Sequence, residues 1–449
     1  MTVSAVDSAI VGGLFTTAAM RAVFADQARQ QRMLDVEAAL ARAQAKLGLI
    51  PPAAAEEIAA KARLERFDLE AIRRGTELAG YPIVPLVKAL SEACEGDAGR
   101  YVHWGATTQD IVDSALVLQI RDALALIEAD LDAILRRLAE LAQQFRDTPM
   151  AGRSHLQHAL PITFGFKCAV WLSALQRQWR RLETVRGEIL MVQFGGAVGT
   201  LASLGADGIA VLSALAEELN LAVPPIAWHV ARDTPAETVC FLGLLTGSLG
   251  KIATDIALLM QTEVGEVAEP HKEGRGGSST MPQKRNPIAS EFILAAAQNV
   301  RQLVPVMLDA MLQDHERATG PWHAEWLALP QAFALTAGAL HHARALLEGL
   351  SVDPARMRRN LDVAQGMITA EAVMMALAPA LGREAAHHLV AASCREALET
   401  GADLLEALRA EPGVSAHLSG AQLERLLDPE NYTGLAGAFV DRVVARSPT

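Results

Sequence analysis

Aromatic residues are scarce in this chain: Trp, Tyr and Phe together make up 4% of its 449 residues, against 51% hydrophobic residues with alanine abundant among them. Small side chains let backbones approach, so the composition suits closely packed helices. Cysteine is rare as well. Cys94, Cys168, Cys240 and Cys394 have neither pair nor metal spacing, which argues against a disulfide framework or a zinc site and leaves reduced, mostly buried thiols. No stretch of about twenty residues runs without polar interruption. The start Met1-Thr2-Val3-Ser4-Ala5-Val6-Asp7 has no basic region leading into a hydrophobic core, so a soluble, unexported, cytoplasmic protein is expected. Positive charge is in deficit. A formal net charge of -12 argues against nucleic acid or an anionic membrane as partner. An anionic ligand must then be drawn by a local field, and His271, Lys272, Arg275, Lys284 and Arg285 concentrate one.

Helix breakers are absent from residues 106–148, where Leu116, Ile120, Leu124, Ile127, Leu131, Ile134, Leu135, Leu138 and Leu141 recur at helical spacing. One helix of about forty residues, roughly 60 Å long, is predicted. So long a helix needs parallel neighbours. The patterns at 164–192, 235–264, 288–317 and 331–349 supply them, and copies of the chain would cover the apolar stripes left over. Before this bundle, 25–47, 56–64 and 68–74 read as helices; after it come shorter helices from 357 onward, with Asp353 or Ser351 as cap and Pro354 in the first turn. No run of alternating residues is long enough to claim a sheet. The predicted fold is all-α, with an N-terminal domain 1–107, a central long-helix bundle 108–350 and a C-terminal domain 351–449.

Polar islands interrupt the rods, and folding of the bundle does not require them to be polar. Thr107-Thr108-Gln109 stands at the entry to the long helix. A threonine there serves as an N-cap, and hydroxyl, amide and helix-end N–H groups can together hold a carboxylate. Arg153-Ser154-His155-Leu156-Gln157-His158 follows. Its His-x-x-His spacing lacks a third ligand, so a histidine packed on a helix end is preferred to a metal site. Gln193-Phe194-Gly195-Gly196-Ala197-Val198-Gly199 follows a helix pattern, not a strand, and is not read as a nucleotide fingerprint. Arg317, within His315-Glu316-Arg317, is either a helix-end salt-bridge partner or a carboxylate clamp. The loop 270–287 is the densest island. It joins glycines, Pro282 and Pro287 to Ser278, Lys284 and Asn286, and the helix beginning at Ile288 would turn free N–H groups and the positive end of its dipole toward an anion there.

Gly277-Ser278-Ser279-Thr280-Met281-Pro282-Gln283-Lys284-Arg285-Asn286-Pro287 resembles the signature of the fumarase/aspartase superfamily. Within it, Tyr101-Val102-His103-Trp104-Gly105-Ala106-Thr107, Leu156-Gln157-His158-Ala159, Trp322-His323-Ala324-Glu325-Trp326 and Leu427-Asp428-Pro429-Glu430-Asn431-Tyr432 are similar to the 3-carboxy-cis,cis-muconate cycloisomerase family. The resemblance implies a helical homotetramer whose sites draw loops from three subunits, a small tricarboxylate substrate, and lactonisation without metal or organic cofactor. It also implies roles: Ser278 moves the carbon-bound proton, Lys284, Asn286 and Arg317 stabilise enolate charge, and Thr107, Thr108 and Gln109 position carboxylate. Ser154 and His155 match a Thr-His pair that serves the leaving group elsewhere. A carboxylate attacks or leaves unaided, so His155 is a weaker candidate, and this family tolerates tryptophan there. Gln283 departs from a frequent histidine. The alternatives are an adenylosuccinate lyase, which normally brings a histidine from the N-terminal domain whereas 25–102 contain none, and a catalytically idle bundle.

Overall fold

The computed structural model describes residues 4–270, 276, 281 and 283–446. Two compact units are each assembled from separate stretches: Met1–Leu131, Gln178–Gly250 and Phe292–His342 in the first, and Asp132–Arg177, Lys251–Glu291 and Ala343–Thr449 in the second. This differs from three domains in succession. The long helices α7 (Thr108–Gln144), α8 (Phe164–Ile189), α10 (Asp233–Leu259), α11 (Ile288–Asp309) and α12 (Pro321–Glu348) give residues to both units.

The first unit adds α1 (Gly12–Phe15), α2 (Ala18–Phe24), α3 (Asp26–Lys46), α4 (Pro52–Lys61), α5 (Leu69–Ala79), α6 (Ile83–Ala93) and α9 (Gly208–Leu219). Its core joins Met33, Leu34, Val36 and Leu40 of α3 to Ile111, Ala115 and Leu118 of α7 and Val211 and Leu215 of α9. Spacing of three and four residues sets each set on one helix face. On α7 the predicted stripe is buried: Ile120, Leu124, Ile127 and Leu131 are in the core, while Leu116 is half-buried. Truncating one of these core leucines to alanine costs about 2–5 kcal/mol.

The second unit holds a hairpin of β1 (Pro149–Ser154) and β2 (Gln157–Thr163) and a short antiparallel pair, β3 (Val267–Ala268) with β4 (Ser351–Val352). No sheet is expected from the sequence, and the hairpin shows why: its register shifts between Ala151 and Arg153, so the alternation that would betray a strand is broken. Gly152 occupies that bulge, where a Cβ would come within 2.5 Å of the Leu160 carbonyl oxygen. The C-terminal helices are α13 (Pro354–Asp362), α14 (Ala370–Leu381), α15 (Arg383–Thr400), α16 (Leu404–Ala410), α17 (Pro412–Ser415), α18 (Gly420–Leu427) and α19 (Ala436–Val444). Asp353 caps α13 by accepting from the Arg356 N–H, with Pro354 in the first turn as expected.

Two further expectations are corrected. Helix α12 begins at Pro321, ten residues before the expected 331, because Pro330 is carried inside it and Pro321 opens it. Of the cysteines only Cys168 is buried, the other three being half-buried. Helix α10 is long and apolar enough to cross a membrane, yet Val239, Leu242, Leu245 and Leu249 along it are buried inside the protein.

Candidate active site

At the entry to α7 the cap is made differently from the sequence expectation. Neither Thr107 nor Thr108 spends its hydroxyl on the helix end; Asp110 reaches back and accepts the Thr107 N–H at 2.9 Å. The same buried carboxylate accepts the N–H groups of Gly195 and Gly196, each at 2.9 Å, and His229 Nε2 at 2.7 Å. Four donors converge on one carboxylate, which pins the glycine-rich segment to the helix end. Only glycine fits at Gly195, where a Cβ would lie 2.7 Å from that of Ala227, and Gly196 has φ +70°. Ser114 completes the clamp by donating to the Gln193 carbonyl and accepting its N–H. The segment read only as "not a nucleotide fingerprint" thus has a structural purpose.

Gln109 is 1% exposed, and its carboxamide is fully engaged. The amide donates to Asp113 Oδ2 at 3.0 Å and to the His229 carbonyl at 2.9 Å, while its oxygen accepts Arg317 Nη1 at 3.2 Å. Arg317 also donates from Nη2 to the Ala197 carbonyl at 2.8 Å. Its two resolved bonds are therefore to neutral oxygens, which orient the guanidinium without neutralising it. Among the described residues Arg317 makes no salt bridge. Thr107 and Thr108 are half-buried at this same helix end, and among the described residues neither hydroxyl has a partner.

Beneath lies a buried ionic cluster. Arg232 donates to both oxygens of Asp113, at 2.7 and 3.2 Å, and to both of Glu325, at 2.9 and 2.6 Å. Trp322 Nε1 donates to Asp113 Oδ1 at 3.0 Å, and the guanidinium lies 4.9 Å from the Trp228 ring centroid. Burial pushes the Glu325 carboxyl above its ordinary pKa, with Arg232 only partly offsetting it. Burial alone would lower Arg232, but Asp113 and Glu325 more than reverse that and hold it charged. Trp322 and Glu325, part of the family-like Trp-His-Ala-Glu-Trp run, thus act as scaffold under Gln109.

In the second unit, Ser154 and His155 stand at an exposed hairpin tip rather than on a helix end. His155 and Leu156 form the two-residue turn with φ +50° and +64°, the left-handed pair that Asn-Gly would adopt more cheaply. Leu156 is 76% exposed. Arg153 anchors the hairpin through a bidentate bond to Glu266, at 2.9 and 2.7 Å, and Asn360 donates to the same carboxylate at 2.7 Å. Burial first, and Arg153 second, lowers the His158 pKa. Among the described residues no group of three or more His, Cys, Asp or Glu is placed to hold a metal.

Ser278 lies outside the described residues. Lys284 is exposed, with no ion-pair partner among them, and Asn286 is half-buried with its N–H donating to the Gly276 carbonyl at 3.1 Å. The anion expected at the start of α11 is already present as part of the chain. Glu269, 8% exposed, accepts the Ala289 and Ser290 N–H groups at 2.9 Å each and the Ser290 hydroxyl at 2.7 Å. This helix end is therefore closed to a ligand by an internal carboxylate cap. Sequence reasoning passed over Asp110, Asp113, His229, Arg232, Glu269 and Glu325. Only Asp110 carried a signal, the Thr-x-x-Asp spacing of a capping box.

Long helices with a pinned arginine near one helix end make a largely helical scaffold. Residues 14–302 match the model of the family described as Lyase, and the chain belongs to that family, as its likeness to the fumarase/aspartase superfamily implied. Residues 366–443 match the adenylosuccinate lyase C-terminus. The chain is 53% identical to the 3-carboxy-cis,cis-muconate cycloisomerase of Pseudomonas aeruginosa, over 96% of this chain and 95% of that one. It is 48% identical to trans-aconitate decarboxylase 1 of Mycosarcoma maydis, over 96% and 88% respectively. The crystal structure of the 3-carboxy-cis,cis-muconate lactonizing enzyme from Pseudomonas putida matches with a TM-score of 0.91 at 49% identity, covering 96% of this chain and 97% of that one.

Proposed function

We propose that this chain catalyses the intramolecular lactonisation of 3-carboxy-cis,cis-muconate to 4-carboxymuconolactone, a step of protocatechuate breakdown. One observation supports the reading: an Arg317 guanidinium bonded only to neutral oxygens, near two threonine hydroxyls without partners among the described residues, occurs in a chain that is alike throughout to enzymes named for that reaction.

The chemistry needs little activation. One substrate carboxylate is ionised and tethered next to the double bond it attacks, so its effective concentration is high without a base. As the C–O bond forms, the alkene electron pair moves onto the carbon bearing a carboxyl group, giving an enolate-like dianion. Arg317, Lys284 and Asn286 stabilise that charge, and Ser278 delivers a proton to the carbon. Atoms balance with one proton taken from water and no redox change. The hydroxyls of Thr107 and Thr108 hold a second carboxylate. Gln109, with its amide already engaged, serves by orienting Arg317. Ser154 and His155 border the same pocket from the hairpin tip of another copy of the chain, in a cytoplasmic homotetramer. The exposed Leu156 and the exposed apolar residues Leu244, Leu258, Leu312 and Leu327 support self-association.

The Mycosarcoma maydis relative favours one second reading, decarboxylation of an unsaturated tricarboxylate through a similar carbanion. Incubating the protein separately with 3-carboxymuconate, trans-aconitate and adenylosuccinate decides among them. Loss of the conjugated-diene absorbance of the first is expected. Release of CO2 from the second, or cleavage of the third, without turnover of muconate would overturn the assignment while leaving the scaffold's chemistry intact.

A further inference from the structure

An open cavity of about 250 Å³ in the first unit is walled by α3, the end of α4, α7 and the end of α9. Four arginines face it: Arg32, Arg42, Arg63 and Arg121. Only Asp35 and Glu218 among its lining residues are acidic, in a chain whose formal net charge is -12. The excess of positive charge is therefore local and concave.

How the guanidinium groups are spent matters more than their number. Arg32 is saturated by carboxylates, with Nη1 on Asp35 at 3.1 Å and Nη2 on Asp122 at 2.5 Å. Arg42 commits only Nε, to Glu218 at 2.6 Å, leaving both Nη groups. Arg121 donates Nη1 to the Leu219 carbonyl at 3.0 Å, a neutral partner at the last residue of α9, and only grazes Asp122 at 3.8 Å. Arg63 has no side-chain bond or ion pair among the described residues. Three forks with unused N–H donors thus point to one concavity, the arrangement that planar, multiply charged oxyanions recognise bidentately.

We propose that this cavity binds a small di- or trivalent oxyanion, a polycarboxylate or phosphate, at a site separate from the Thr107 to Gln109 helix end. Arg121 lies twelve residues along α7 from Gln109, about 18 Å at 1.5 Å per residue. The volume, about 250 Å³, is enough for one such anion. Occupancy would also bear on α3, whose Glu37 holds His103 and whose Gln44 donates to the Trp104 carbonyl, just ahead of Thr107.

Calorimetric titration of the full-length protein with citrate, and separately with inorganic phosphate, tests this and distinguishes the two sources. Saturable binding of at least one probe is expected in the parent and in Arg317→Gln. In the double variant Arg42→Gln with Arg63→Gln it is expected to weaken about tenfold or more, with muconate turnover in the absence of added anion unchanged. Both replaced side chains are exposed, so folding is not at risk. Failure of both probes to bind, unchanged binding in the double variant, or loss of binding through Arg317→Gln alone would each overturn the proposal. The binding results do not depend on which substrate the enzyme turns over.

Discussion

The start of α7 and the tip of the β1–β2 hairpin hold their candidate site residues in opposite ways. At the start of α7 buried side chains are engaged: Asp110 takes four donors, Gln109 uses all of its amide, and Arg232 is shared by two carboxylates. At the hairpin tip Ser154, His155 and Leu156 are exposed, and the turn holds two non-glycine residues in left-handed backbone. Lys284 likewise stands in solvent. The first region, proposed as the substrate receptor, is braced within its own unit at the cost of buried charge. The second holds two residues in strained backbone with their side chains exposed, as suits the proposed meeting with another copy of the chain. On the proposed function, preorganisation belongs to the first and assembly to the second.

The contrast can be broken from either side. Ser278→Ala has the largest expected effect, a fall in kcat of on the order of a thousandfold or more with folding unchanged, read by single-turnover kinetics and circular dichroism. Near-normal turnover would remove serine from proton delivery. Next is Arg232→Met. It strands the carboxylates of Asp113 and Glu325 in the core, so a loss of about 3–5 kcal/mol is expected in urea unfolding. A loss below about 1 kcal/mol would mean that the cluster is not the rigid base assigned to it. Gln109→Leu keeps Arg317 but removes its support. It is expected to raise KM and lower kcat/KM about tenfold to a hundredfold, and an unchanged KM would return Gln109 to a purely structural role.

The hairpin tip sharpens the comparison in the other direction. Replacing His155-Leu156 by Asn-Gly relaxes two left-handed residues and is expected to stabilise the protein by about 1 kcal/mol while lowering turnover. Gain of stability with full activity would show the tip to be only a turn. The smallest effect concerns His103 and Glu37. Burial opposes the imidazolium, but Glu37, 2.6 Å from Nδ1, outweighs it and raises the pKa. The pair therefore stabilises fully below the unfolded histidine pKa of about 6.5, and this contribution fades as pH rises through the higher folded value. The stability difference between the parent and His103→Gln should shrink between neutral and alkaline pH; a constant difference would show that His103 is neutral in the fold.

The rods were legible because hydrophobic spacing is a one-dimensional signal: Ile120, Leu124, Ile127 and Leu131 announce α7 without knowledge of a partner. The hairpin was not, since a bulge at Gly152 and prolines at 149 and 161 erase its alternation. Arg317 and the threonines were found as residue types beside helix ends. What they rest on was hidden, because Asp113, Arg232 and Glu325 meet only through folding, more than ninety residues apart in sequence. A free helix N-terminus at Ile288 was inferred soundly from local rules and lost to Glu269, nineteen residues upstream.

Mixing two inactive proteins asks most directly whether receptor and supplier come from different copies. Ser278→Ala and Arg317→Gln chains, unfolded together and refolded as hybrids, should recover lactonisation well above either parent, because some sites would then combine an intact arginine from one chain with an intact serine from another. Hybrids as inactive as their parents, despite demonstrated subunit exchange, would contradict a site shared between chains.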